Sequence, residues 1–132
     1  MRAARVLGAV AALTCVAVAG AQTPDCRVEA FHGATMPAGA VARMHVVNTG
    51  ATCSISAYGV PAERKNPAES GSITSRPTHG SAQFAAPRAS YTPERHYVGD
   101  DEFTFEAFAR GANNQPLRLT VVVKVNVSAP AR

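Results

Sequence analysis

Pro77-Thr78-His79-Gly80, then Tyr91-Thr92-Pro93, then Tyr97-Val98-Gly99-Asp100-Asp101-Glu102-Phe103-Thr104-Phe105: this stretch decides the fold. Turn formers interrupt it at short intervals. The tyrosines and phenylalanines between them fall where strands of a small all-β domain bury their rings. Gly80 and Gly99 permit turn conformations that a Cβ opposes, Pro93 fixes a strand exit, and Asp101 accepts turn hydrogen bonds. Tyr91, Tyr97, Phe103 and Phe105 supply most of the aromatic core open to a chain without tryptophan.

Working towards the C-terminus, Leu117, Leu119, Val121, Val123, Val125 and Val127 share one face, opposite Arg118, Thr120, Lys124 and Asn126, with only Val122 out of pattern. That period of two predicts a long half-buried strand. Phe103, Phe105 and Ala107 alternate with Glu102, Thr104 and Glu106 in a strand before it, and Gly111-Ala112-Asn113-Asn114-Gln115 reads as the hairpin loop joining an antiparallel pair. Phe108 breaks the alternation and marks either a bulge or the end of regular pairing.

Towards the N-terminus the signals are shorter. Strands are expected at 27–31, 41–47, 53–58, 72–75 and 81–85, with turns at Pro37-Ala38-Gly39 and Asn48-Thr49-Gly50. Val60 to Ser70, with Pro61 and Pro67, reads as a loop in which Glu63-Arg64-Lys65 forms at most one helical turn. About seven strands without a convincing helix predict an all-β, antiparallel β-sandwich of immunoglobulin-like type.

The first residues predict a compartment. Arg2 and Arg5 precede the apolar run Val6 to Val18, and Ala19-Gly20-Ala21 has the small-x-small pattern of a signal-peptidase site, so residues 1–21 read as a secretory signal cleaved after Ala21. The run is shorter than the roughly 20 residues a spanning helix needs, so no stable membrane span is expected after processing. A lipoprotein signal at Cys15 is disfavoured by Thr14, which stands where Gly or Ala belongs. The remaining residues 22–132 are of a length for one domain, expected to be periplasmic or secreted.

Of the chain's 13 Lys+Arg and 9 Asp+Glu, the leader removes Arg2 and Arg5, leaving 11 basic against 9 acidic residues, a formal +2. The basic residues are scattered singly, which argues against nucleic acid as a partner. Two of the three cysteines, Cys26 and Cys53, lie beyond the leader. In an oxidising compartment a lone pair without Cys-x-x-Cys spacing predicts a structural disulfide, stabilising by on the order of 3 kcal/mol.

Taken together, Pro77, His79, Gly80, Tyr91, Pro93, Tyr97, Gly99, Asp101, Phe103 and Phe105, followed by the valine-rich strand Val121 to Val127, resemble the C-terminal half of the bacterial immunoglobulin-like and cadherin-like repeats of exported and surface proteins. The resemblance covers about half of the mature chain, from Pro77 to Val127, and implies that these residues are mostly scaffold. Antibody-type domains carry a Cys, Trp, Cys arrangement; here tryptophan is absent and both cysteines lie in the N-terminal half, where Cys26 to Ser70 takes no part in the resemblance. A single copy is present, whereas such repeats are often in tandem.

Catalytic and metal readings find little support in the sequence. His32, His45, His79 and His96 lack zinc-site spacing, Asp100-Asp101-Glu102 lacks the further oxygen ligands calcium needs, and no Gly-x-Ser-x-Gly elbow occurs. The expected function is a non-catalytic binding module without a cofactor, offering loops or strand edges to a protein or polysaccharide of the cell envelope. The expected contact surfaces are the Val60 to Ser70 loop, the Arg110 to Gln115 hairpin and the loop around Arg95. The alternatives are a periplasmic binder of a small ligand or polysaccharide, which needs an apolar concavity although the core should consume the few aromatics, and a loop inhibitor of a secreted enzyme. A pocket favours the binder, a rigid protruding loop the inhibitor, and an unpaired strand edge the interaction module.

Overall fold

Alternation in the last third of the chain builds the centre of the molecule. The structure, a computed structural model, describes residues 23–59 and 66–131; the expected leader and the expected helical turn at Glu63-Arg64-Lys65 lie outside the described residues. Strand β7 (Gly99–Arg110) and strand β8 (Pro116–Ser128) pair antiparallel in unbroken register from Gly99 opposite Val127 to Arg110 opposite Pro116. Phe103, Phe105, Val121, Val123 and Val127 are fully buried on one face. Burying each such side chain contributes about 1.5–3 kcal/mol. Phe108 marks neither a bulge nor an end of pairing: it stays in register opposite Arg118, with its ring exposed.

The other strands dress this hairpin: β1 (Cys26–Val28), β2 (Ala40–Val47), β3 (Cys53–Ser56), β4 (Ser70–Ser75), β5 (Gly80–Ala85) and β6 (Arg88–Pro93). They complete two layers, a five-stranded sheet ordered β1-β2-β8-β7-β4 and a three-stranded sheet ordered β3-β6-β5. The described residues contain no helix. All pairings are antiparallel except β2 with β8, which run parallel from Ala40 opposite Val121 to Val47 opposite Ser128. This is the immunoglobulin-like sandwich, with β3, β6 and β5 facing β4, β7 and β8.

The strand count is eight among the described residues, one more than the sequence suggested. The additional strand, β6, is the middle of its sheet; Ala89 and Ser90 are small and prolines flank it, so only Tyr91 signals a buried face. The first strand is shorter than the expected 27–31, because the chain leaves the sheet after Glu29, whose amide donates to Arg43 O at 2.9 Å.

Cys26 and Cys53 are joined, with Cα atoms 5.3 Å apart. The bridge ties β1 of the larger sheet to β3 of the smaller one, so it staples the two layers where β3 begins. Between the layers Tyr91 and Phe103 stack with centroids 5.8 Å apart, and Phe84 meets Phe105 at the same separation.

Candidate functional site

The residues of the signature stretch converge on one carboxylate. Strand pleating sends Asp100 and Glu102 to the outer face, where Asn126 Nδ2 and Lys124 Nζ bond them at 3.1 and 2.7 Å, while Asp101 turns inward and is buried. Asp101 Oδ1 accepts from the amides of Thr78 and Glu102, both at 2.9 Å. Its Oδ2 accepts from the His79 amide at 2.9 Å and the Tyr91 hydroxyl at 2.8 Å. Four donors thus replace the water this carboxylate gives up. Burial, reinforced by the bond to Asp101, pushes the Tyr91 hydroxyl well above the ordinary tyrosine range.

Around this clasp, the His79 ring stacks on Tyr97 at 4.2 Å, and the Tyr97 hydroxyl donates to Asp100 O at 2.6 Å. Gly99 opens β7 opposite Val127 with φ +142°, a backbone conformation that favours glycine. Gly80 serves differently: it opens β5, and a Cβ there would meet Thr92 O at 2.5 Å. Pro93 pairs with Gly80 and ends β6, and Pro77 enters the turn that delivers Thr78 and His79. Chemically the assembly locks a turn to the sandwich; its carboxylate faces donors, not solvent.

The histidines are dispersed in role. His45 Nε2 lies 2.6 Å from Glu29 Oε2, and this bond is the main cause holding the Glu29 carboxyl below its usual range. His79 is stacked, and His96 sits in a turn with φ 67°. No group of three or more His, Cys, Asp or Glu side chains among the described residues forms a metal-holding cluster.

The three expected contact surfaces are tied down where they are described. The Gly59 amide donates to Asn66 O at 2.6 Å and the Glu69 amide to Phe108 O at 2.7 Å, pinning the base of the 60–70 loop. Residues 60–65 of that loop lie outside the described residues. The Arg110 to Gln115 hairpin is closed by the Gly111 amide on Gln115 O at 2.8 Å, and Asn48 Nδ2 holds the turn around Arg95 through Glu94 O and Tyr97 O.

A cleft missed by the sequence reading opens elsewhere. It encloses about 520 Å³ between the sheets, with Val28, Phe31, Ile55, Ala57, Leu119 and Val121 contributing its apolar lining. Phe31 and Tyr58 face it, so the core does not consume every aromatic, contrary to the sequence expectation; Tyr58 is exposed because the strand face ends before it.

One wall of the cleft is β3. The Ala57 amide donates to Pro87 O at 2.9 Å while its carbonyl accepts from the Ala68 amide at 2.9 Å, and with Ile55 opposite Ala89 and Cys53 opposite Tyr91, the alternation of an antiparallel ladder directs the main-chain groups of Cys53 and Ile55 to β6. Those of Ser54 and Ser56 therefore point away from β6, along the cleft, and no described residue bonds them. Their side chains belong to the outer face, where the Ser54 and Ser90 hydroxyls share a hydrogen bond at 2.9 Å.

Sheet edges usually carry guards such as charge, proline or a bulge. β1 has Arg27 within it and Asp25 and Glu29 beside it, and β4 has an irregular register between Ile73 and Ser75. β5 lies beside β4, whose Gly71 leaves room for the Phe84 ring. β3, Cys-Ser-Ile-Ser, has none of these devices. The one signal available in the sequence was that lack of any charge or proline from Ala51 to Gly59.

Compared with known proteins, the chain matches no family model and no curated protein. No helix among the described residues is long and apolar enough to cross a membrane.

Proposed function

We propose that the protein is a small exported immunoglobulin-like interaction module without catalytic activity, periplasmic or secreted, which engages a macromolecule of the cell envelope. The observation that carries this reading is the unguarded edge of β3 running beside an apolar cleft. Exposed main-chain donors and acceptors next to apolar surface are the elements by which sheets recruit partners. The Cys26–Cys53 bridge fits an oxidising compartment, and the Asp101 clasp fits a scaffold that holds its surface still. The likeness of the signature stretch to bacterial immunoglobulin-like and cadherin-like repeats supports the same reading.

A second reading, a binder of a small apolar ligand, is favoured by the size of the cleft, which falls within the roughly 300–1,000 Å³ range of ligand sites. The test of the first reading uses immobilised mature protein against solubilised envelope proteins and polysaccharides, alongside a panel of chromogenic esters, glycosides and peptides. Saturable retention of an envelope component without turnover is expected. Turnover that co-purifies with the protein, with no retention, would overturn the reading.

A further inference from the structure

We infer that the cleft receives an extended segment of a partner protein as a fourth strand of the smaller sheet, hydrogen-bonded to Ser54 and Ser56; this rests on the interaction-module reading above. Three observations define the occupant.

The outward main-chain groups of Ser54 and Ser56 are two residues apart, the repeat of a β-strand, so only an extended main chain satisfies all four at once. A strand added there sends alternate side chains inward over Ile55, Leu119 and Val121 and the others outward beside the Ser54 and Ser56 hydroxyls. Finally, β3 is uncharged and the cleft's lining is mostly apolar, with the exposed His32 and Glu29 its only acidic or basic side chains among the described residues, and Glu29 is already bonded to His45. The occupant is therefore an uncharged segment with apolar residues at every second position and small polar residues between them.

A second copy of this chain fits less well. Pairing β3 with another β3 would satisfy the four main-chain groups, but Ile55 and Ala57 of each copy are buried in its own core and cannot fill a 520 Å³ cleft. The donor must bring side chains of its own. The Cys26–Cys53 bridge lies at the β3 start, and Tyr58 and Gly59 line the cleft past the other end of the strand.

The test is a nuclear magnetic resonance titration of isotope-labelled mature protein with a capped peptide of about seven residues alternating valine or leucine with threonine, which spans roughly 23 Å. Saturable binding is expected, with amide exchange at Ser54 and Ser56 slowed by about tenfold or more. Ser56→Pro removes one outward N–H without touching the ladder to β6 and should weaken binding roughly tenfold. The same peptide N-methylated at alternate amides should fail to bind unmodified protein, which keeps the test decisive if the proline variant does not fold. No saturation up to about 1 mM, or equal binding of the methylated peptide, would overturn the inference. So would an apolar dye that fills the cleft while the peptide does not bind. If immobilised wild type and Ser56→Pro retain the same envelope component equally, strand addition fails and the module reading stands. Retention by neither, with turnover, sinks the module reading itself.

Discussion

The Tyr91 hydroxyl donates to Asp101 Oδ2 at 2.8 Å, across the space between β6 and β7, and so joins the two sheets through one buried carboxylate. The same carboxylate holds the Thr78-His79 turn. One side chain thereby couples a strand of each layer to the loop that precedes β5.

Replacing that carboxylate should therefore be costly. Asp101→Ala leaves the buried Tyr91 hydroxyl and the part-buried amides of Thr78 and His79 without an acceptor, and the buried orphan costs about 1–3 kcal/mol. A loss of roughly 2–3 kcal/mol is expected from urea unfolding, with Asp101→Asn losing less because its carbonyl oxygen still accepts.

The Tyr91 hydroxyl also predicts an alkaline limit. Its pKa is raised in the folded state above the unfolded value of 10.0, so above that pH the folded protein holds a proton the unfolded chain has released. Stability accordingly falls as pH rises through this window, by up to ~1.4 kcal/mol per pH unit. Tyr91→Phe is less stable at neutral pH but lacks this slope, so the gap between the two proteins should shrink between about pH 9 and pH 11. Parallel pH curves would contradict the assignment.

The interlayer bridge should behave as a stability element. Cys26→Ala with Cys53→Ala is expected to cost about 3 kcal/mol, and reductant should destabilise the wild type while leaving the double variant unchanged. Denaturation with and without dithiothreitol measures both.

Gly80 is required for close approach. A Cβ at this position would meet Thr92 O at 2.5 Å and the Tyr91 ring at 2.9 Å, so Gly80→Ala must push β5 away from β6. A loss of roughly 1–3 kcal/mol is expected on thermal unfolding, with slower-relaxing or shifted amide signals confined to these strands.

The C-terminal half was legible in the sequence because its strands are long and repeat with period two: Phe103, Phe105 and Val121 to Val127 announce both the pairing and the buried face. The Cys26–Cys53 bridge was legible because only two cysteines lie beyond residue 21. β6 was legible only at its end, where Tyr91 marked a buried ring and Pro93 a strand exit; its start was not, since a six-residue strand with one large apolar residue carries no periodic signal. The parallel docking of β2 on β8 was equally hidden, because it joins segments about eighty residues apart through main-chain bonds that any side chains permit. Phe108 misled by its hydrophobicity: a single apolar ring on a solvated face costs little, and the ladder simply continues beneath it.

The cleft was illegible for a related reason. Phe31 and Tyr58 read as core candidates, but the chain departs from the larger sheet after Glu29 and returns only at Ala40, so no strand covers β3 among the described residues. An empty place beside a strand edge is a property of the whole topology, and no local pattern encodes it.

Residue-resolved hydrogen exchange on the free protein, residues 22–132, tests the open edge most directly. The amides of Ile55 and Ala57, bonded to β6, should exchange slowly, while those of Ser54 and Ser56 between them should exchange orders of magnitude faster. Uniform protection along β3 would mean that its edge is already covered, and would contradict the account.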